Sequence, residues 1–233
     1  NSTATTLFDA TFYVLTSDRN VYKCLDNDGN TASTVEPTGT STSVITTGDG
    51  YKWKYMYTLS AAQQSNFLST DFMAVATNST VSSAATDGGI DIVKIKTAGS
   101  SYTVSGGGTS GTITNVPIRG DGSSAVCSVT ITSGAITAVT ITTNGSGYTS
   151  GYIRNADIIG ATGAGGAGSG AELDVIIPPK GGHGFNAVEE LGGFFVMLNT
   201  SLEGTESSNS GDFTAANDFR KITLIKDPQN AAG

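Results

Sequence analysis

From Tyr51 to Thr58 the chain reads Tyr-Lys-Trp-Lys-Tyr-Met-Tyr-Thr. Aromatic residues recur at every second position, and a period of two is the signature of a strand with alternate side chains on opposite faces. Tyr51, Trp53, Tyr55 and Tyr57 are therefore expected on one face, with Lys52, Lys54 and Met56 on the other. Such a row anchors a sheet to another layer of core, or forms a stacking platform for sugars. The β-rich runs at residues 10–16 and 20–25, separated by Ser-Asp-Arg, predict a hairpin. Residues 72–76 and 218–226 predict further strands, and the continuous apolar run at 194–199 predicts a buried one. Helix signals are few. Ser60 and Gln63 form a capping-box pair opening a helix over 60–68. Asn186 can cap a short helix through Glu189, Glu190 and Leu191 that stops at Gly192-Gly193. Residues 213–217 suggest one short helical turn. Between these elements, 31–47 reads as a Ser/Thr-rich surface arm, 78–89 as a polar connector and 201–212 as a polar loop.

The middle of the chain is one unit written twice. Val93-Lys-Ile-Lys-Thr-Ala-Gly-Ser-Ser-Tyr-Thr103 aligns with Val139-Thr-Ile-Thr-Thr-Asn-Gly-Ser-Gly-Tyr-Thr149, an offset of 46 residues. Without a gap, the same offset lays Gly120-Asp-Gly-Ser-Ser-Ala-Val-Cys-Ser-Val-Thr-Ile131 over Gly166-Ala-Gly-Ser-Gly-Ala-Glu-Leu-Asp-Val-Ile-Ile177. Two separate matches at one offset mark a duplicated supersecondary unit. Each copy runs strand, Gly-Ser-x-Tyr turn, glycine-rich excursion, strand. Ser133-Gly134 is placed to turn the end of copy one into the start of copy two as a hairpin.

These patterns predict an all-β fold: an antiparallel β-sandwich with long loops and two or three short helices, containing the duplicated glycine-rich unit. Three regions follow: a β-rich part with one helix (1–89), the duplicated region (90–177), and C-terminal strands that complete the core (178–233). At 233 residues the chain is long enough for a substantial core. Its low charged content of 14% is balanced by Gly, Ser, Thr and Asn, which suits sheets and polar turns. A net charge of −8 with scattered Lys and Arg argues against binding to nucleic-acid phosphates. No apolar run approaches the ~20 residues that cross a bilayer as a helix, so no membrane insertion is expected. The chain opens at Asn1 without Met and is expected to be a fragment or a processed chain. Cys24 and Cys127 make no Cys-x-x-Cys pair and are expected as two reduced, packed thiols.

Candidate chemistry is sparse. Asp26-Asn-Asp-Gly-Asn30 resembles the opening of a calcium loop but lacks the distal Glu and flanking helix, and reads as a solvated turn. The glycine-rich run at 160–170 lacks the Gly-Lys-Ser/Thr ending of a phosphate loop, and a strand follows it, so it predicts a flexible β-loop. The one histidine, His183, sits between glycines with Glu189 and Glu190 downstream; it is read as a loop hydrogen-bonder, since no nucleophile elbow accompanies it. Metal-ligand spacing is absent. No catalytic residue, cofactor or metal ligand is assigned, and no enzyme is expected. Paired carboxylates of a glycoside-processing enzyme leave no sequence spacing to read. Two classes stay open: an assembly subunit, which should bury Trp53, and a carbohydrate-binding or adhesin-type β module, which should expose it.

Two blocks carry a resemblance. The first comprises Phe12-Tyr-Val-Leu-Thr-Ser-Asp-Arg-Asn-Val-Tyr-Lys-Cys-Leu25, Pro37-Thr-Gly-Thr40, Asp49-Gly-Tyr-Lys-Trp-Lys-Tyr-Met-Tyr-Thr58 and Thr70-Asp-Phe72. The second comprises His183-Gly-Phe-Asn-Ala-Val-Glu-Glu-Leu-Gly-Gly-Phe-Phe-Val-Met197 and Asn217-Asp-Phe-Arg-Lys-Ile222. In this order they resemble the baseplate wedge protein family of T-even-like contractile-tailed phages known as gene product eight. The resemblance implies a β-sandwich virion structural protein of the tail baseplate, assembled in the bacterial host cytoplasm. It implies a homodimer in contact with other wedge subunits, without catalysis or cofactor. Family members are longer, so further β structure before residue 1 is expected. The arm 31–47 and the loop 201–212 are the expected contacts, with Tyr51, Trp53, Tyr55 and Tyr57 as core or interface aromatics.

Overall fold

A computed structural model describes residues 12–199 and the strand at 223–226. The fold is all-β with antiparallel sheets, as the alternation predicts, and it carries four short α-helices among the described residues. Strand β1 (Tyr13–Leu15) and strand β2 (Asn20–Asp26) form the expected hairpin, turned by Arg19 in the left-handed region at φ 63°. Strand β3 (Ile45–Thr46) and strand β4 (Lys52–Thr58) complete a sheet in the order β1-β2-β4-β3. Residues 28–30 make the expected solvated turn, a single exposed 3-10 turn. The arm 31–47 does not project. Its Gly39 carbonyl accepts from Tyr22 Oη at 2.6 Å, its Thr42 carbonyl from Lys54 Nζ at 2.6 Å, and its Thr31 carbonyl from Tyr51 Oη. Asp49 clasps the near end by accepting from Ser33 Oγ and from the Thr34 and Val35 amides.

The aromatic row of β4 is broken. Val21 faces Tyr57 while the next residue, Tyr22, faces Tyr55, so the register shifts at Met56. Such a bulge re-aims the side chains beyond it. Tyr57 packs with Val21, Met56 and Leu59, whereas Trp53 and Tyr55 pack with Tyr22 and Val81. Lys54 and Met56 are buried as well, so β4 is covered on both faces instead of alternating between core and solvent.

Helix α1 (Ala61–Phe67) starts at Ser60 with both bonds of the capping box, Gln63 N to Ser60 Oγ and Ser60 N to Gln63 Oε1. Residues 72–76 are extended and half-buried but join no ladder, so the expected strand there is absent. The expected connector at 78–89 holds helix α2 (Ser79–Ala84), because Asn78 Oδ1 caps the Thr80 and Val81 amides and Val81 is buried.

The duplicated region contains β5 (Ile92–Ser100), β6 (Gly111–Pro117), β7 (Arg119–Gly120), β8 (Val126–Thr132), β9 (Ala135–Thr143), β10 (Gly151–Tyr152), α3 (Asn155–Ile159) and β11 (Ser169–Ile176). Two sheets result, β5-β11-β10-β7 and β6-β8-β9. The copies are interlocked: the first strand of copy one pairs with the last of copy two, and the last of copy one with the first of copy two. Their registers coincide under the sequence offset. Val175 faces Val93 as Val129 faces Val139, and Leu173 faces Ile95 as Cys127 faces Ile141. Even the bulges correspond, at Glu172/Leu173 and Val126/Cys127. The tyrosine of each Gly-Ser-x-Tyr turn, Tyr102 or Tyr148, is buried against a glycine of the following excursion. A Cβ on Gly168 would lie 2.2 Å from the Tyr102 ring, and one on the equivalent Gly122 would lie 2.3 Å from the Tyr148 ring. The copies diverge where α3 of copy two replaces most of β6 of copy one. Both enclose one core, in which Ile113, Val116, Val129, Ile131 and Ile136 are sealed from solvent.

Asn186 caps helix α4 (Ala187–Glu190) through the Glu189 amide, as expected. Strand β12 (Phe195–Leu198) pairs with β13 (Thr223–Lys226). Instead of being fully buried, β12 is half-buried and ends exposed at Leu198. The loop expected at 201–212, the helical turn at 213–217 and the start of the strand at 218–226 lie outside the described residues. Ala187 and Leu191 pack with Val21, Met56, Tyr57 and Leu59 in one core cluster. The chain after the duplicated region therefore returns to the sheet formed before it.

Candidate functional site

Tyr51, Trp53, Tyr55 and Tyr57 are structural. Trp53 is 3% exposed, with its indole N–H donated to Thr47 Oγ1 at 3.3 Å and its ring stacked on the half-buried Tyr51 at 5.4 Å between centroids. Tyr55 and Tyr57 are buried. Tyr57 donates to the Ala74 carbonyl at 2.8 Å, and burial raises its pKa. Trp53 borders a shallow depression between β1 and the arm, but so little of its ring is open that no sugar face can stack on it.

The polar feature that sequence reasoning did not assemble is centred on Glu190. Its side chain, at the end of α4, is 3% exposed. Glu190 Oε1 accepts from His183 Nδ1 at 2.6 Å and from Lys23 Nζ at 2.7 Å, and Oε2 accepts from the Gly184 amide at 2.7 Å. Burial alone would raise the Glu190 pKa. The His183 hydrogen bond and the Lys23 charge outweigh it and bring the carboxyl down to about 2. The loop before α4 makes the approach possible. Gly184 takes φ 87°, and a Cβ there would meet Val81 Cγ1 at 2.5 Å, so only glycine lets the chain turn His183 back over the helix. His183 is 6% exposed, a loop hydrogen-bonder as expected, but buried and paired with a carboxylate. His183 and Glu190 were visible in sequence as neighbours on a capped helix turn. Lys23, far away in β2, carried no signal of its part.

His183 also borders a cleft of about 370 Å³ where the first sheet meets the duplicated region. Around it lie Lys54, Asp91, Thr140, Thr142 and Asn144. Lys54 Nζ, held by the Thr42 carbonyl, is 3.8 Å from Asp91 Oδ2, and Asn144 Nδ2 donates to Asp91 Oδ1 at 2.5 Å and to the Ile90 carbonyl at 3.0 Å. A second ionic seam joins Lys52 and Lys94 to Asp26 at 3.8 and 3.5 Å. The lining is polar and hydroxyl-rich, suited to hydrogen-bonding a small polar ligand. It has no serine or cysteine nucleophile beside the His183–Glu190 pair.

Among the described residues no group of three or more His, Cys, Asp or Glu side chains could hold a metal ion, and no helix is long and apolar enough to cross a membrane. Asp121, on the far side of the duplicated unit, accepts from the Thr149 and Ser150 amides and hydroxyls, and these bonds hold its carboxyl well below the usual range. That is a turn clasp, not a ligand set. Cys24 and Cys127 are free thiols. Compared with protein families, with curated proteins and with solved structures, the chain has no match.

Proposed function

We propose that the chain is a virion structural protein, a subunit of the tail baseplate wedge of a contractile-tailed phage, acting through protein–protein contacts and not through catalysis. One observation carries this reading beyond the sequence resemblance. The two blocks that bear the resemblance, far apart in the chain, fold as one body. Lys23 of the first block is ion-paired with Glu190 of the second, and Val21, Met56 and Tyr57 share a core cluster with Ala187 and Leu191. The duplicated glycine-rich unit is looped out between them. A shared scaffold with an added β unit is what a family member carrying an insertion would present. The burial of Trp53 favours this reading over a lectin built on the aromatic row.

In the proposed role the partners are a second copy and other wedge subunits, and the place of action is the virion baseplate after assembly in the host cytoplasm. Sedimentation of the purified chain over a concentration series tests the self-association. A reversible or stable dimer is expected, with an interface above about 1,000 Å² once its structure is determined. A monomer at every concentration would remove the second copy from the account.

A further inference from the structure

We propose that the cleft between the first sheet and the duplicated unit is a saccharide-binding site, with His183 Nε2 accepting a hydrogen bond from a ligand hydroxyl. The argument starts from the orientation of the ring. Glu190 is ionised and can only accept, so His183 Nδ1 must carry the proton that makes the 2.6 Å bond. A neutral imidazole held this way presents a lone pair at Nε2. The residue is 94% buried, yet among the described residues Nε2 has no protein partner, and it is not sealed from solvent. A buried, oriented acceptor facing a polar cleft calls for a donor.

The rest of the lining selects the kind of donor. Thr140 and Thr142 offer hydroxyls, Asp91 has remaining acceptor capacity and Lys54 offers a further donor. A ligand that both donates and accepts at closely spaced positions fits this set, and a polyol such as a sugar ring does so. A simple oxyanion has no proton to give to Nε2. The volume of about 370 Å³ lies at the lower end of the ~300–1,000 Å³ typical of ligand pockets, suited to a mono- or disaccharide. With no aromatic ring in the lining, affinity rests on hydrogen bonds, and dissociation constants of about 1 mM are expected. The site is independent of the aromatic row and of the baseplate assignment, so either can fail without the other.

The chain has one histidine, so its imidazole ¹⁵N spectrum contains a single residue. Glucose, galactose, N-acetylglucosamine and their disaccharides are titrated into the labelled chain, with sodium sulfate and sodium acetate in parallel. At least one saccharide should shift the Nε2 resonance saturably while the anions do not. Thr140→Trp, which fills the cleft without touching the buried ion pair, should weaken that binding at least tenfold. Thr46→Trp on the opposite wall serves if the first variant does not fold. If no saccharide moves Nε2, if only the anions do, or if the filled cleft binds as before, the proposal is overturned.

Discussion

Glu190 shows how one side chain ties distant parts of this chain together. A buried carboxylate is costly by itself, and here it is stabilised by a lysine from β2, a histidine from the glycine loop and a backbone amide. Because its folded pKa is about 2, below the ordinary 4.5, its contribution is fully present above pH 4.5 and is lost as pH falls toward 2. The size of that shift corresponds to about 3 kcal/mol. Glu190→Gln should therefore lower the urea midpoint at pH 7 by an equivalent amount and flatten the loss of stability between pH 4.5 and 2. An unchanged acid limb in the variant would show that other carboxylates set it. The thiols give a second test at this scale. Burial pushes Cys127 up to about 12 and raises Cys24 as well, so neither is poised as a thiolate at neutral pH. Cys127 should react with a thiol reagent only after unfolding; fast modification in the native chain would contradict its placement.

At the scale of elements, the repeat was legible in the sequence because the pairing chemistry repeats residue by residue. Val93 and Val139, Val129 and Val175, and the two turn tyrosines sit at equivalent places in the fold. The interlocked exchange of strands was only half legible. Ser133-Gly134 announced the hairpin of β8 with β9, but nothing local announced that β5 would wait for β11. Equivalent glycines give the matching prediction. Gly122→Ala and Gly168→Ala each force a methyl into a buried tyrosine ring and should each cost about 1–3 kcal/mol. Gly106→Ala, at φ 86° in open space, should cost only about 1 kcal/mol. Chemical denaturation of the three variants checks this, and indifference at either crowded site would break the structural equivalence of the copies. Elsewhere, local signals succeeded where the cause was local. The capping boxes and caps at Ser60 and Asn186 formed as read, whereas the run at 72–76 has strand composition but no neighbouring strand to pair with. The aromatic row failed for a similar reason, since a bulge at Met56 depends on the partner strand and leaves no mark in the alternation.

For the molecule as a whole, the first sheet and the segment after residue 178 make one body, and the duplicated unit makes another with its own core. Between them run the Lys54–Asp91 and Asp26–Lys94 ion pairs and the polar cleft. The candidate site was illegible from sequence because its members come from β2, β4, β9, α4 and the loops beside them, brought together only by that junction. The all-β class needed only the alternation and the turns. The proposed role in a virion rests on the resemblance and on the union of the two blocks that carry it. The most direct test is electron microscopy of contractile-tailed particles of the encoding phage, labelled with gold-conjugated antibody raised against this chain. Gold confined to the baseplate end of the tail is the predicted result. Gold on the capsid or along the sheath, or particles that carry none of the chain, would contradict the account.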